Sequence, residues 1–211
     1  IVKVRLFKES PGRIRFLTEG EEIRVREVMD NSCWSLVVFA IHTGLRQAEQ
    51  FRLRWENVNL ENRVITIPRA KSGETRHIPI NDEALTILRG LSSWMTSAWV
   101  FPSENPATPI DPRNFYRRVF MPAVQKAGLE GTCWHTLRHT FASRLVIKGV
   151  DLRTVQELMG HKTIAMTQRY AHLSPRHLLD AVNRLVPCSN IPTTEIVTVT
   201  GGTSSLIETD N

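Results

Sequence analysis

Residues 133–145, CWHTLRHTFASRL, combine the apolar residues of a packed helix with three basic side chains. At helical spacing, residues three and four positions apart lie on one face, so His135, Arg138 and His139 are predicted to lie together. The opposite side of the helix is predicted to face solvent through its polar residues Thr136, Thr140, Ser143 and Arg144. Because an unpaired charge is costly in the interior, the basic face predicts an anionic partner.

Four more residues with suitable chemistry are spread along the chain: Arg46, Lys71, His161 and Tyr170. A pair of guanidinium groups suits phosphate oxygens, because each group offers a planar fork of donors. Histidines add hydrogen bonds or move protons, and a lysine can protonate a leaving oxygen. A tyrosine hydroxyl can attack phosphorus and form a covalent intermediate. Together these residue types favour a phosphodiester site, although each alone has an ordinary structural explanation.

Neither a metal site nor a disulfide framework is predicted. His135 and His139 have the i, i+4 spacing of a zinc-binding pair, but Thr136 stands where the metalloprotease motif has glutamate. The cysteines are odd in number and widely spaced, which is typical of a reducing compartment. We expect them to be buried thiols: Cys33, Cys133 and Cys188.

The elements that must position these residues are predicted from capping and breaking signals. Thr18 and Glu21 form a capping box that begins the first helix. Residues 32–44, SCWSLVVFAIHTG, predict a buried helix that ends at Gly44, and a short helix carrying Arg46 follows it.

The middle of the chain predicts β-structure. Two β-branched runs, Val64–Ile67 and 78–80, flank the turn residues Ser72 and Gly73. This is a hairpin pattern with Lys71 at its tip. With the preceding segment RWENVNL, it predicts a small three-stranded antiparallel sheet.

Helices are again predicted after the sheet, and their capping residues are Asn81, Asp111 and Asp151. The second of these helices is predicted to be interrupted at Pro122, because proline has no N–H to donate. Gly160 ends the third, and Thr163 is predicted to cap a short segment that bears Tyr170. The fold class is therefore α+β, mainly α, with one small antiparallel sheet.

The charge is unevenly distributed. The chain carries a formal net charge of +6, yet residues 187–211 contain three acidic residues and no lysine or arginine, so the preceding 186 residues carry +9. Such an excess favours a polyanionic partner, although charge also serves solubility. The sequence has no apolar run of the roughly 20 residues that a membrane span needs, and it has no signal-peptide pattern.

Four segments, in this order, carry a family resemblance: TGLRQAEQFRLRWENV, RAKSGETRHIPI, HTLRHTFASRL and LMGHKTIAMTQRYAH. With the 23-residue step from Arg138 to His161, they resemble the catalytic domain of the tyrosine recombinase, or phage-type integrase, family. The resemblance runs from about Leu17 to Leu185. Departures are slight, with Met159 where leucine is frequent and Asn57 where aspartate is common.

The resemblance implies an arginine pair on the scissile phosphate. Arg46 and Arg138 match the two residues that clamp the phosphate and offset the charge of the transition state. Glu49 would orient Arg46, and His161 matches a histidine that hydrogen-bonds to a phosphate oxygen.

The same resemblance implies the proton-transfer groups and the nucleophile. Lys71 matches the hairpin lysine that protonates the departing 5′ oxygen, and His135 matches the histidine that manages the proton of the nucleophile. Tyr170 matches the nucleophile itself, which forms a 3′-phosphotyrosyl linkage. His139 is placed outside the site as a structural neighbour. No metal ion, other cofactor or ATP is implied, because the cationic side chains supply the positive charge.

The implied function is that of a site-specific DNA recombinase, or integrase, of a mobile element or prophage. One alternative is a type IB topoisomerase, which uses similar groups without exchanging strands between two sites. Another is a non-enzymatic DNA-binding regulator, since residues 150–170 also fit a helix-turn-helix.

The resemblance also implies a domain organisation. Residues 1–16 are expected to be a basic interdomain linker, 17–186 the catalytic domain, and 187–211 a tail that docks on a neighbouring protomer. An N-terminal core-DNA-binding domain is expected to be missing from this fragment. The expected partners are double-stranded DNA, other protomers in a synaptic tetramer and accessory DNA-bending factors. The expected location is the cytoplasm, in association with the nucleoid.

Overall fold

The computed structural model describes residues 14–68 and 75–173, together with Val182, Asn183 and Leu185. Residues Ile1–Pro175 and Arg176–Asn211 form two compact units, and every named element lies in the first. Its helices are α1 Glu19–Glu27, α2 Asn31–Thr43, α3 Gln47–Phe51, α4 Asp82–Gly90, α5 Ser93–Thr96, α6 Pro112–Phe115, α7 Met121–Lys126, α8 Trp134–Ile147, α9 Leu152–Met159 and α10 Ala165–Gln168. Its strands are β1 Val58–Asn59, β2 Val64–Ile67 and β3 Arg76–Pro79. No helix among the described residues is long and apolar enough to span a membrane.

The predicted capping residues begin their helices as expected. Thr18 and Glu21 form the reciprocal capping box of α1, in which the Thr18 N–H donates to the Glu21 carboxylate over 2.9 Å. The side chains of Asn81, Asp111 and Asp151 each accept a hydrogen bond from a backbone N–H in the first turn of α4, α6 and α9. These bonds satisfy donors that the start of a helix otherwise leaves unpaired.

The sheet confirms the three-stranded antiparallel prediction. Its order is β1-β2-β3, and Ile65 lies opposite Ile78 in the β2–β3 register. In β3 the side chains alternate, so that Arg76 and Ile78 are buried while His77 is exposed. The predicted hairpin turn, with Lys71, lies outside the described residues.

The helix after Asp111 does not break at Pro122. It continues from α6 into α7 through a π-helical segment, Tyr116–Phe120, that ends two residues before the proline. Pro122 has no N–H to donate, and a local π turn is one way for a helix to change its hydrogen-bond register without breaking. The predicted interruption is therefore a change of helix type.

Helix α8 lies at the centre of the unit, packed against α2 and α9. The prediction of a solvent-facing side is wrong, because Thr136, Thr140 and Ser143 are at most 2% exposed. The segment before α1 covers this side, where the Leu17 N–H donates to Thr140 Oγ1 over 2.9 Å. Arg144 lies nearby in a 2.6 Å ion pair with Glu22 of α1. The hydroxyls of Thr136 and Thr140 have hydrogen-bond partners inside the protein, whereas the buried Ser143 hydroxyl has none among the described residues.

Two further predictions need correction. The thiol of Cys133 is exposed and that of Cys33 only half-buried, whereas buried thiols were expected. Cys133 is exposed because it is the N-cap residue of α8, at the end of a loop. Helix α10 begins at Ala165 without a side-chain cap from Thr163, and Tyr170 follows the helix instead of lying within it.

Candidate active site

The first predicted site residue, Arg46, lies at the N-terminus of α3, after the left-handed Gly44 that ends α2. Its guanidinium donates to Glu49 Oε1 over 2.6 Å, and its backbone N–H donates to the other carboxylate oxygen over 2.9 Å. The same residue is therefore oriented at both ends by one carboxylate. The Arg46 side chain keeps 27% of its surface exposed, so a ligand can still reach it.

Arg76 of β3 binds the other side of that carboxylate. Its Nη2 donates to Glu49 Oε2 over 2.8 Å, and its Nη1 donates to the carbonyl of Met159 over 2.7 Å. Burial would raise the pKa of Glu49, but the charges of Arg76 and Arg46 outweigh burial and hold that pKa below its ordinary value. Glu49 is therefore an anion that links the sheet to the start of α3.

Arg138 is 2% exposed and is held by backbone carbonyls. Its two terminal nitrogens donate to the carbonyls of Gly44 and Met159. Burial, together with the charges of Arg46 and Arg76, lowers its pKa to about 9. The partners of this buried cation are thus carbonyl oxygens of the protein, and its burial alone does not require an external anion.

The C-terminus of α9 gathers all three guanidinium groups. Met159 accepts from Arg76 and Arg138, and the Gly160 carbonyl accepts from Arg46 at 3.4 Å. The last carbonyls of a helix have no partner within the helix and carry the negative end of its dipole. This helix end therefore supplies partial negative charge to the arginine cluster, and Glu49 supplies the full negative charge.

Two glycines make this close approach possible. Gly44 and Gly160 adopt left-handed φ values of 61° and 60°. A Cβ atom at Gly44 would collide with the ring of Phe141, and one at Gly160 would collide with Arg76. Each glycine therefore serves both the backbone conformation and the packing against the cluster.

His161 follows Gly160 and faces the same cluster. Its Nδ1 lies 2.9 Å from the hydroxyl of Thr167, a fully buried residue of α10. Burial and then the charges of Arg138, Arg46 and Arg76 lower the pKa of His161 to about 4. The ring is therefore neutral near pH 7 and can accept or donate a hydrogen bond.

His135 lies at the exposed edge of the site, in the first turn of α8. Its ring meets that of His139 edge to face, with the centroids 4.6 Å apart. Although solvent reaches His135, the surrounding protein still desolvates its ring. Together with the charges of Arg138 and Arg46, this desolvation lowers the pKa.

Tyr170 is 1% exposed and packs in a small hydrophobic cluster with Ala142, Val146, Val155 and Met159. Its hydroxyl lies 2.6 Å from Nδ1 of His139. Burial raises the pKa of Tyr170, against a weaker opposite effect of nearby arginine charges. The phenol is thus protonated near pH 7.

The structure brings five of the six predicted site residues into one region: Arg46, His135, Arg138, His161 and Tyr170. Their charges act on one another, as the pKa of each histidine shows. The sixth, Lys71, lies outside the described residues. The catalytic roles assigned to them stay predictions.

Two residues of the region were missed at the level of sequence. Arg76 carried a signal, because it occupies a buried position in a strand whose alternate residues face outward. His139 lies on the same face as His135 and Arg138 but was set aside as a structural neighbour. Its contact with Tyr170 depends on where the chain returns 31 residues later.

An open cleft of about 690 Å³ adjoins the arginine cluster. Basic and polar side chains dominate its lining, which consists of Thr75, Arg76, His77, Arg153, Gln156, Glu157, Gly160, His161 and Lys162. The cleft leads from solvent to His161, and its basic lining suits an anionic ligand.

This fold and this cluster of arginine, histidine and tyrosine define a tyrosine recombinase catalytic domain. The phage integrase family matches residues 15–177, and the chain belongs to that family. The resemblance and the fold class expected from the sequence are both confirmed.

Three relatives show the extent of the similarity. Tyrosine recombinase XerA of Pyrococcus furiosus is 33% identical over 175 residues, which cover 80% of this chain and 60% of the relative. The solved catalytic domain of bacteriophage HP1 integrase is 32% identical with a TM-score of 0.64, over 84% of this chain and 98% of that domain. The Tn1549 transposon integrase, solved in complex with circular intermediate DNA, has a TM-score of 0.69 at 23% identity, over 86% of this chain and 70% of that one, and it supports the fold alone.

The chain spans about half the length of the curated relatives that it matches, from 42% to 60%. The recombinase activity of the whole protein is therefore a proposal, which rests on the residues of the candidate site.

Proposed function

We propose that this chain is the catalytic part of a site-specific DNA recombinase, which cleaves and rejoins strands through a 3′-phosphotyrosyl intermediate. The observation that carries the proposal is the convergence of Arg46, Arg138 and His161 in one site with the hydroxyl-bearing Tyr170. Membership of the phage integrase family and similarity to a named tyrosine recombinase support it.

The proposed phosphate site uses the donors that now bind carbonyls. Arg46 and Arg138 would turn N–H groups toward the non-bridging oxygens of the scissile phosphate, and His161 would add a third donor. Glu49 and the C-terminus of α9 already hold these groups together, so binding requires the donors to exchange carbonyl oxygens for phosphate oxygens and does not require them to be gathered. Removing one such donor typically lowers the rate by about 10²–10³-fold.

The covalent step exchanges one ester bond for another. The Tyr170 oxygen forms a bond to phosphorus, and the bond from phosphorus to the 5′ oxygen breaks. The phenol loses its proton, with His135 as the proposed acceptor, and the departing 5′ oxygen takes a proton, with Lys71 as the proposed donor. The role of Lys71 rests on the family resemblance. Rejoining reverses both transfers, so no ATP is consumed.

Double-stranded DNA is the proposed substrate. The +9 charge of residues 1–186 and the basic cleft beside His161 suit a phosphate backbone. The Tn1549 transposon integrase, which shares the fold, was solved with DNA. We extend the proposal to other protomers in a synaptic tetramer, to accessory DNA-bending factors and to a location at the nucleoid.

The proposed domain organisation is part of the same hypothesis. Arg15, at the end of the proposed linker, pairs with Glu21 of α1 over 2.8 Å, and Leu17 is fully packed. These contacts support a folded domain that begins near residue 17. The proposed docking of residues 187–211 on a neighbouring protomer concerns residues outside the described ones.

One experiment tests the enzymatic step. A nicked DNA substrate lets the short 5′ strand diffuse away, so a covalent intermediate accumulates and survives SDS. We expect the chain to form this adduct and Tyr170→Phe to form none. Tyr116→Phe removes the only other tyrosine of the sequence and is the matched control, which should retain the adduct.

The outcomes separate the rival functions. Absence of the adduct would favour a non-enzymatic DNA-binding regulator, and an equal yield from Tyr170→Phe would contradict the assignment of Tyr170 as the nucleophile. Adduct formation without joining of two marked sites by the complete protein, but with relaxation of supercoils, would favour a type IB topoisomerase.

A further inference from the structure

We propose that His139 is a positioning residue that stores the Tyr170 nucleophile in an inaccessible place, so that strand attack requires the His139–Tyr170 hydrogen bond to open. The inference rests on the proposed function of Tyr170. It assigns His139, which the family resemblance left outside the site, a role in deciding when the nucleophile is available.

In the described structure, Tyr170 is not accessible to a DNA phosphate. An attacking oxygen must come within about 3–3.5 Å of the phosphorus atom, with the phosphate oxygens arranged around it. Tyr170 is 1% exposed, and its ring is enclosed by side chains of α8 and α9. Its hydroxyl is already engaged at 2.6 Å by Nδ1 of His139. A phosphate on a DNA strand has no room to meet this hydroxyl, so the tyrosine must leave its place first.

His139 and Tyr170 are both uncharged near pH 7. The groups facing His139 are His135 and Arg138 on α8, Arg169 and Tyr170 after α10, and His161 after α9. Burial and the positive charge of these neighbours lower the pKa of His139 to about 4, so its ring is neutral near pH 7. A neutral ring accepts at Nδ1 from a protonated phenol, and burial keeps Tyr170 protonated. The bond therefore holds the nucleophile in its unreactive form.

The segment that carries Tyr170 has few buried side chains. Between Lys162 and Tyr170, only Thr167 and Tyr170 are buried, and the other residues are exposed. Each buried residue has its hydroxyl on an imidazole, with Thr167 at 2.9 Å from His161 and Tyr170 at 2.6 Å from His139. Opening one neutral hydrogen bond changes an equilibrium by about tenfold, and release of Tyr170 must in addition expose the ring that packs against side chains of α8 and α9.

A competing interpretation makes His139 the proton acceptor during attack. In that case the His139–Tyr170 bond persists in the transition state, and its loss slows the reaction. Storage predicts the opposite, because loss of the bond then releases the nucleophile. The two interpretations therefore differ in the sign of the effect on adduct formation.

The first measurement is the accessibility of Tyr170 without DNA. The sequence contains two tyrosines, so nitration by tetranitromethane, followed by peptide mass mapping, compares Tyr170 with the half-buried Tyr116 in the same sample. We expect Tyr170 to be protected in the unsubstituted chain. His139→Leu should raise its nitration rate about tenfold relative to Tyr116, the size of effect of one neutral hydrogen bond. His139→Asn keeps an acceptor near the position of Nδ1 and should restore protection.

Thr167→Val provides a second route if His139→Leu unfolds. It removes the hydroxyl that meets His161 without changing the volume, and it leaves His139 intact. We expect it also to increase nitration of Tyr170. Thermal unfolding of each variant shows whether the increase comes from local release and not from global unfolding.

The second measurement is the rate of adduct formation on nicked DNA at saturating protein. Storage predicts that His139→Leu reacts at least as fast as the unsubstituted chain. Unchanged nitration, or an adduct that forms more slowly, would overturn storage. Failure of the proposed function looks different, because the unsubstituted chain would then form no adduct at all.

Discussion

The candidate site has a buried half and an exposed half. Arg138 and Tyr170 are 2% and 1% exposed and are engaged by protein atoms. Arg46 keeps 27% of its side chain exposed, and His135 lies at the edge of the site. The buried half is thus determined by the packing of α2, α8 and α9. The exposed half can be reached by a ligand from solvent.

Because of this difference, substitutions in the buried half should lower both stability and activity, whereas substitutions in the exposed half should lower mainly activity. A residue of the buried half loses partners in the fold when it is replaced, so its replacement affects both properties. A residue of the exposed half contributes less to the stability of the fold than to ligand binding. Four predictions test this separation, in order of the expected effect on stability.

Arg138→Ala should have the largest effect. It leaves the buried carbonyl of Gly44 without its donor and leaves Met159 with Arg76 alone, which should cost about 2–4 kcal/mol in the free energy of unfolding. Adduct formation should fall by roughly 10³-fold. Arg46→Ala should lower adduct formation to a similar degree but destabilise by less than about 1 kcal/mol, since Glu49 keeps Arg76. Urea unfolding measures both, and equal destabilisation would break the comparison.

Gly44→Ala should have the next largest effect on stability. The left-handed φ of 61° is unfavourable for alanine, and its Cβ would collide with Phe141, so about 2 kcal/mol or more is expected. Gly128→Ala is the matched control, with a φ of 67° and no atom within 4 Å of the new Cβ. It should cost only about 1 kcal/mol, which is the strain of the backbone alone. Identical losses in thermal or urea unfolding would contradict the claim that Gly44 is required by packing.

Acid should lower the free energy of unfolding through His139 and His161, which lie between the two halves. The pKa values of His139 and His161 are lowered to about 4, so between an ordinary pKa of about 6.5 and 4 the unfolded chain binds more protons than the folded one. Stability is therefore present above about pH 6.5 and is lost as the pH falls toward 4. From pH 7 to 5 we expect a loss on the order of 1–2 kcal/mol for each histidine.

Substitution locates this loss. His161→Gln removes one titrating ring and should reduce the difference in unfolding free energy between pH 7 and 5. His77→Gln, on the exposed side of β3, controls for the substitution itself. An unchanged difference in His161→Gln would show that the acid sensitivity arises elsewhere.

His135→Gln should have the smallest effect on stability. Its ring lies at the exposed edge, so the free energy of unfolding should change by less than about 0.5 kcal/mol. Adduct formation should fall by about 100-fold if His135 manages the proton of the nucleophile. A large loss of stability would contradict this prediction and would show that His135 belongs to the buried half of the site.

Local signals predicted much of the fold. The caps at Thr18, Asn81 and Asp151 and the glycine at Gly44 act within one helical turn, so their sequence neighbours are enough to identify them. The hairpin strands were predicted from the β-branched runs Val64–Ile67 and 78–80, and the second strand lies slightly earlier, at Arg76–Pro79.

The buried side of α8 was not predictable from such signals. The polar residues Thr136, Thr140 and Ser143 have the pattern of a solvent-exposed helix face. They are buried because the segment before α1 covers them. Arg46, Arg138, His161 and Tyr170 were found because their spacing resembles a family, and not because any of them is distinctive alone. The contact of His139 with Tyr170 joins residues 31 positions apart, which no local pattern encodes.

The C-terminus of α9 has a consequence for ligand choice. Its carbonyls already occupy the arginine donors, so an incoming anion competes with the chain's own backbone. A small ion with one point of contact gains little by such an exchange, whereas a phosphodiester held by its neighbours along a strand is delivered at high local concentration. A dilute small anion would therefore have to displace these carbonyl oxygens before it could bind the arginines.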